Sequence, residues 1–224
     1  MQDRASLYNY ANGEAYEGLT VEETFHKIFE ETSWNVQTEE SVSGEGSTLE
    51  QTRELINELP EVLRNLGVQT ILDAPCGDFN WMKFVDLTDI KYTGADIVPS
   101  IIQNNKDSYG SLNRDFVVLD LINDDLPKVD VIFSRDCLVH FSFEMIKDAI
   151  QNIKKSGSKY LMTTHFSDQD SNKDILTGGW RPLNLCLEPF NFPVPKLMID
   201  EKCTEMNGAF SDKMIAVWEI KDLP

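Results

Sequence analysis

Positive charge is scarce in this sequence: 20 Lys and Arg stand against 38 Asp and Glu in 224 residues, a net charge of −18 at pH 7. Nucleic-acid affinity rests on Lys and Arg neutralising phosphates, and no basic run is present, so nucleic acid is not an expected partner. Long apolar runs are missing too, and none approaches the roughly 20 residues of a membrane span. The first eighteen residues carry Asp3, Glu14 and Glu17 and no apolar core of a secretory signal, so a cytoplasmic location is expected. Cys76, Cys137, Cys186 and Cys203 are widely spaced without a CxxC pair. They read as small core or turn residues in a reduced compartment rather than a disulfide frame or zinc site. An apolar share of 41% is enough for the core of one large domain.

What is present is an alternation of short apolar runs and amphipathic segments. Strands are expected near 69–73, 91–95, 115–119, 129–134 and 158–164, with helices near 80–87, 98–109 and 143–155. Such alternation implies parallel strands joined by right-handed crossovers. Upstream, Thr20 with Glu23 reads as a capping box opening a helix to Glu31. After a Ser/Gly-rich loop, Ser47 or Thr48 caps a helix that Gly67 ends. Lys196–Glu201 and Lys213–Ile220 read as a closing antiparallel pair.

Three successive strands end in acids: Asp73, Asp96 and Asp120. After the first, Asp73-Ala-Pro-Cys-Gly77-Asp-Phe makes a turn that is expected to enter a helix, the place where open α/β sheets bind ligands. A dinucleotide fold would carry several glycines here to cradle a pyrophosphate; Pro75 and Phe79 oppose that, and Gly77 alone admits close backbone approach.

These residues resemble the class I S-adenosylmethionine-dependent methyltransferases, over about residues 48–224 and most firmly from Thr70 to Phe141. The resemblance implies an α/β fold: a doubly wound, mostly parallel seven-stranded sheet with an antiparallel C-terminal hairpin. Residues 1–47 would be an N-terminal helical extension and lid, and residues 48–224 the methyltransferase domain with an acceptor-binding insert at about 166–196. It implies S-adenosylmethionine as cofactor, with Asp73 and Gly77 along its methionine part, Asp96 on the ribose hydroxyls, and Ile97, Asp120 and Leu121 about the adenine. Ala74, Trp81 and Ser134 join the same implied cofactor set.

Methyl transfer to a hydroxyl needs an aligned acceptor and a base. Side chains for it should project from the ends of the fourth and fifth strands, where His140 and His165 lie; His165 is the preferred base, with Asp136 to orient it or the acceptor. Asp136 with Asp168, Asp170 or Asn172 offers oxygen ligands for a divalent cation, but an acidic loop in an acidic chain is the simpler reading and no metal is assigned. In the insert, Trp180 suits stacking on a sugar face, and Arg181 and Asn184 hydrogen bonding to hydroxyls. Asp-Ala-Pro-Cys-Gly-Asp-Phe-Asn-Trp together with Trp-Arg-Pro-Leu-Asn-Leu resembles small bacterial and viral methyltransferases of glycan synthesis. The expected function is therefore O-methylation of a sugar hydroxyl in a glycan or nucleotide-sugar. Alternatives are another small-molecule acceptor (carboxylate, phenol or amine) or a noncatalytic cofactor-binding subunit. No oligomeric state follows from the sequence.

Overall fold

Two threonines set where the amino-terminal helices begin. In the computed structural model, which describes residues 13–31 and 40–224, Thr20 Oγ1 accepts from the Glu23 amide at 3.2 Å and Glu23 accepts from the Thr20 amide at 2.9 Å. This capping box opens helix α1, Val21–Glu30. Thr48 caps α2, Leu49–Asn65, through the Gln51 amide. The expectations for residues 1–12 and 32–39 lie outside the described residues.

The strands are β1 Thr70–Asp73, β2 Lys91–Asp96, β3 Arg114–Val118, β4 Val131–Ser134, β5 Tyr160–Phe166, β6 Leu197–Asp200 and β7 Lys213–Glu219. They form one sheet in the order β3-β2-β1-β4-β5-β7-β6. The first five run parallel, and β7 is antiparallel to both β5 and β6. Helices α3, Pro99–Tyr109, and α4, Phe143–Lys155, fill two crossovers. This is the doubly wound sheet with a reversed terminal pair that the residue pattern implies.

Alternation along the strands gives the sheet two buried faces. Leu55, Leu59 and Leu63 of α2 pack with Ile71, Val131 and Val217 on one face. Ile146, Ile150 and Ile153 of α4 pack with Leu72, Ile132 and Leu161 on the other. The chain reverses its winding between β1 and β4, and there a crevice opens beyond the strands' carboxyl ends.

The helix expected at 80–87 is not formed; a single 3-10 turn, Met82–Phe84, stands in its place. Phe79 adopts a left-handed φ of 58°, which turns the chain before a helix can start. Its ring instead fills the space between Tyr92, Tyr109 and Phe116, at centroid distances of 5.2–5.3 Å. The Asp86 carboxylate then accepts from the Thr88 amide and hydroxyl and bends the chain away.

Asp130 ties the starts of β1 and β4 together. Its Oδ2 accepts from the Gln69 amide, the Thr70 amide and the Thr70 hydroxyl, each at 2.9 Å. Replacing Asp130 with Ala should lower unfolding free energy by about 1–3 kcal/mol, since three donors lose an anionic acceptor. Urea denaturation checks this, and a loss within ±0.5 kcal/mol would show that water replaces the carboxylate.

Candidate active site

Asp73 and Asp96 end adjacent strands and are both buried in the wall of one cavity of about 380 Å³ at the crevice. The Asp96 carboxylate accepts from the Gly77 amide at 3.1 Å and the Val98 amide at 3.0 Å, so the β1 turn and the start of α3 are fixed on it. Gly77 has a φ of 52°, and an added Cβ would lie 2.2 Å from Ser43 Oγ, so only glycine fits. Asp73 accepts from the Tyr92 hydroxyl at 2.5 Å. Burial pushes the Asp73 carboxyl up to about 7, against the Tyr92 bond and with help from the Asp96 charge. Burial likewise raises Asp96 to about 6, against the backbone amides it accepts from.

Ala74, Gly77, Trp81, Ile97, Asp120 and Leu121 line the same cavity. The Asp120 carboxylate is also held by its own turn, accepting from the Ile122 amide at 2.8 Å and Asn123 Nδ2 at 2.8 Å. Segment 43–47 lines the cavity as well, anchored by the Asp78 carboxylate. That carboxylate accepts from the Ser41 hydroxyl, the Val42 amide and the Ser43 hydroxyl at 2.8–3.2 Å. Asn80 ties the segment's far end, donating to the Ser47 carbonyl at 3.2 Å.

Across β4 the wall becomes charged. Asp136, in a left-handed conformation with φ 51°, meets Lys213 Nζ at 2.6 Å and Arg135 Nη1 at 3.1 Å. Arg135 also grips Glu201 Oε2 through Nε and Nη2, at 3.1 and 2.6 Å. Burial works against the ionised Asp136, yet Lys213 and Arg135 outweigh it and hold the carboxyl well below its ordinary range. Lys213, buried, is held protonated by Asp136, Glu201 and Glu205 against the cost of burial and the Arg135 charge.

His140 joins these residues in the cavity, but His165 does not. His140 Nδ1 lies 2.7 Å from the Gly179 carbonyl, an arrangement that puts the proton on Nδ1 in the neutral ring. Burial lowers its pKa to about 4, against the Gly179 bond and the Asp136 charge, so the imidazole is neutral at ordinary pH. His165 is a correction to the sequence reading. Thr164 and Phe166, one residue to either side, meet Asp136 and the cavity respectively. The period of two in β5 turns His165 the other way. There its Nδ1 accepts from the Leu185 amide at 3.2 Å and its ring stands edge-on to Trp218.

Three further expectations change. Ser134 is buried behind the wall rather than in it, with its carbonyl accepting from Thr163 Oγ1 at 2.7 Å. Arg181 donates to the carbonyls of Leu138, Val139, Phe141 and Lys173 at 2.6–3.2 Å. It is an internal bolt holding the turn that carries His140, not a ligand group. Asn184 is likewise internal, donating to the Gln169 carbonyl at 2.9 Å and accepting from the Cys186 amide at 3.0 Å. Of the insert residues named from sequence, Trp180 alone reaches the cavity. Asp168, Asp170 and Asn172 line no part of it with Asp136, and Asn172 is spent on the Asn184 and Glu188 carbonyls.

Sequence reasoning missed Lys213, Glu45, Glu205, Phe210 and the α1 residues Phe25 and Phe29, all of which line the cavity. One signal was available. Lys213 opens a strand that is apolar from Met214 to Trp218 and pairs in register with Phe166 at the end of β5.

The raised carboxyls fix a pH response. The unfolded chain releases both protons near pH 4, whereas the native chain holds that of Asp96 to about pH 6 and that of Asp73 to about pH 7, a window of about pH 4 to 7 in all. Their contribution to stability therefore falls as pH rises through that window. Thermal melts should show the Tm of the native chain falling relative to that of Asp96→Asn as pH rises from 4 to 6, where the Asp96 proton is lost; a Tm difference that stays constant over that range would contradict the assignment. Replacing Arg181 with Met strands four carbonyls and should cost about 3 kcal/mol or more by urea denaturation.

No family model and no curated protein matches the sequence. Solved structures do. Magnesium protoporphyrin IX methyltransferase from Synechocystis PCC 6803 with bound S-adenosylmethionine superposes with a TM-score of 0.53 at 14% identity, over 70% of this chain and 82% of that one. Human N-acetylserotonin methyltransferase in complex with S-adenosylmethionine gives 0.51 at 16% identity, over 75% and 49%. PigF with S-adenosylhomocysteine gives 0.54 at 15%, over 75% and 55%. This chain thus spans about half the length of the latter two. At these identities the likeness is one of architecture: the chain has the doubly wound, Rossmann-like fold of S-adenosylmethionine-dependent methyltransferases.

Proposed function

We propose that this chain is an S-adenosylmethionine-dependent methyltransferase acting on a sugar hydroxyl, in a glycan or a nucleotide-sugar. One observation carries the reading: acids at the ends of β1 and β2, and Asp120 just beyond β3, line a single cavity with a neutral histidine. The similar folds crystallised with S-adenosylmethionine or S-adenosylhomocysteine support it.

The donor set fits this cofactor. Its strand-end groups are carboxylates, suited to ribose hydroxyls and to positive charge. Among the described residues, the two cations of the wall lie on the β4 and β7 side, not at the Pro75–Phe79 turn where a pyrophosphate would be cradled. Asp96 would accept from the ribose hydroxyls, Ile97 and Leu121 flank the adenine with Asp120 at its edge, and Asp73 and Gly77 border the methionine part. Ala74 and Trp81 complete that wall. When bound, S-adenosylmethionine supplies a methyl group on a sulfonium, an electrophile that carries its own leaving group.

The chain's part is to align the acceptor and take its proton. Protonated on Nδ1, the neutral His140 ring has its basic nitrogen at Nε2, the atom that would take a hydroxyl proton. Asp136, kept ionised by Lys213 and Arg135, favours the imidazolium that results. Segment 43–47, latched on Asp78, serves as the lid over the cofactor.

Calorimetry should show S-adenosylhomocysteine binding, weakened at least about tenfold (about 1.4 kcal/mol) in Asp96→Ala. No binding to the native chain would sink the reading. In a screen of rhamnose-, fucose- and other glycan acceptors with labelled methyl donor, His140→Asn should keep cofactor affinity and lose roughly 10²–10⁴ in kcat. Full turnover in that variant would remove His140 as the base.

A further inference from the structure

Behind the Asp73 wall of the cavity, β2 buries a phenol. In the β1–β2 register Ile71 pairs with Tyr92 and Asp73 with Gly94, so Tyr92 and Asp73 share one face of the sheet. Gly94 keeps that face open, since a Cβ on it would lie 2.6 Å from the Phe116 ring and 3.1 Å from Cys76 Sγ. The Phe79 and Phe116 rings stand 5.3 and 6.0 Å from the Tyr92 ring, centroid to centroid, and Tyr92 is 1% exposed. A phenol packed in this way needs a partner for its hydroxyl, and the partner is Asp73 Oδ2 at 2.5 Å. Asp73 lines the cavity and Tyr92 does not, so Tyr92 acts on a bound ligand through that carboxylate.

The groups facing the Asp73 carboxyl are Tyr92 and Asp96 of β2, Cys76 of the turn and Arg135 beyond β4. Burial, joined by the Asp96 charge, works against the ionised form and brings the group to about 7; the Tyr92 hydroxyl and the Arg135 charge work for it. Burial and the Asp73 charge push the Tyr92 phenol well above its usual range, against the Arg114 charge, so the hydroxyl stays a donor. Burial also keeps the Cys76 thiol neutral.

We propose that Tyr92 is a positioning residue for the amino-acid end of the cofactor: by holding Asp73 Oδ2, its hydroxyl sets the carboxylate as acceptor for the ammonium group of S-adenosylmethionine. The proposal rests on the methyltransferase reading and adds to it the residue that aims Asp73. An ammonium group is a cation with three N–H donors, and it bonds most strongly to an ionised carboxylate that is already held in place. Below about pH 7, Asp73 must shed its proton as the ammonium arrives, so cofactor affinity rises with pH up to that point. The Tyr92 bond favours the ionised form. Without it the carboxyl rises further, and the pH at which affinity levels off rises with it.

Calorimetry with two probes tests this. S-adenosylhomocysteine carries the ammonium group; 5′-methylthioadenosine has the same nucleoside without the amino-acid end. Tyr92→Phe keeps the packed ring and removes the hydroxyl. At pH 7 it should weaken S-adenosylhomocysteine by about three- to tenfold and leave 5′-methylthioadenosine within about twofold of its native affinity. The pH at which S-adenosylhomocysteine affinity levels off should move upward. Equal weakening of both probes would make Tyr92 a packing residue alone and overturn the proposal, as would an unchanged affinity and pH profile. If Tyr92→Phe fails to fold, Asp73→Asn decides. It should lose the preference for S-adenosylhomocysteine over 5′-methylthioadenosine together with the pH dependence near pH 7, and a retained preference overturns the proposal. Failure of the native chain to bind S-adenosylhomocysteine at all is a distinct result, and strikes the methyltransferase reading itself.

Discussion

The charge cluster beyond β4 holds together the β4 side of the cavity wall. Arg135, Asp136, Glu201 and Lys213 come from the ends of β4, β6 and β7, and Thr164 of β5 donates to Asp136 at 3.2 Å. Four strand ends therefore meet in one network. Ion pairs removed from water cost much of what they gain, so their value here is geometric. They surround Asp136 in a left-handed conformation, one that Asp adopts more readily than most residues with a side chain. They also keep it ionised in a place where burial alone would protonate it.

A second set of contacts fixes His140 from the other side. The insert donates to the His140 turn through the Gly178 amide, the Arg181 amide and the Arg181 guanidinium, and it receives the His140 ring on the Gly179 carbonyl. Gly178 has a φ of 95°, and a Cβ there would lie 2.5 Å from the Tyr16 ring, so α1 and the residues before it lean directly on this segment. The amino-terminal helix is thus part of the cavity wall rather than an ornament to the sheet. The elements that seem peripheral in the chain order, α1, segment 40–48 and the insert, enclose the crevice that the strand order leaves open.

Much of the architecture was legible because its signals are local. The capping box at Thr20, the Thr48 cap and the apolar periods of α2 and α4 each depend on residues within a few positions. Acids at strand ends are equally local, and Asp73, Asp96 and Asp120 do line one cavity. The missing 80–87 helix shows the limit of such signals. Its apolar residues suit a helix, but Phe79 finds more contact by turning left-handed and filling the β2–β3–α3 space. Tertiary packing overrode a weak local preference.

For the site, composition and order determined that the chain carries acids rather than cations at its strand ends, and that two histidines follow β4 and close β5. Which histidine enters the cavity was decided by the parity of β5, set by its pairing with β4 and β7. Arg181 and Asn184 look like ligand groups in a loop rich in Pro and Gly. In the folded chain they satisfy backbone carbonyls that the loop would otherwise bury unpaired, a demand that no sequence window displays. Lys213 and Glu205, far along the chain from Asp136, become its neighbours when the reversed terminal pair folds back beside β5. The sequence by itself determined the sheet and the acids at its edge; the tertiary structure chose which histidine lines the cavity and which charges surround it.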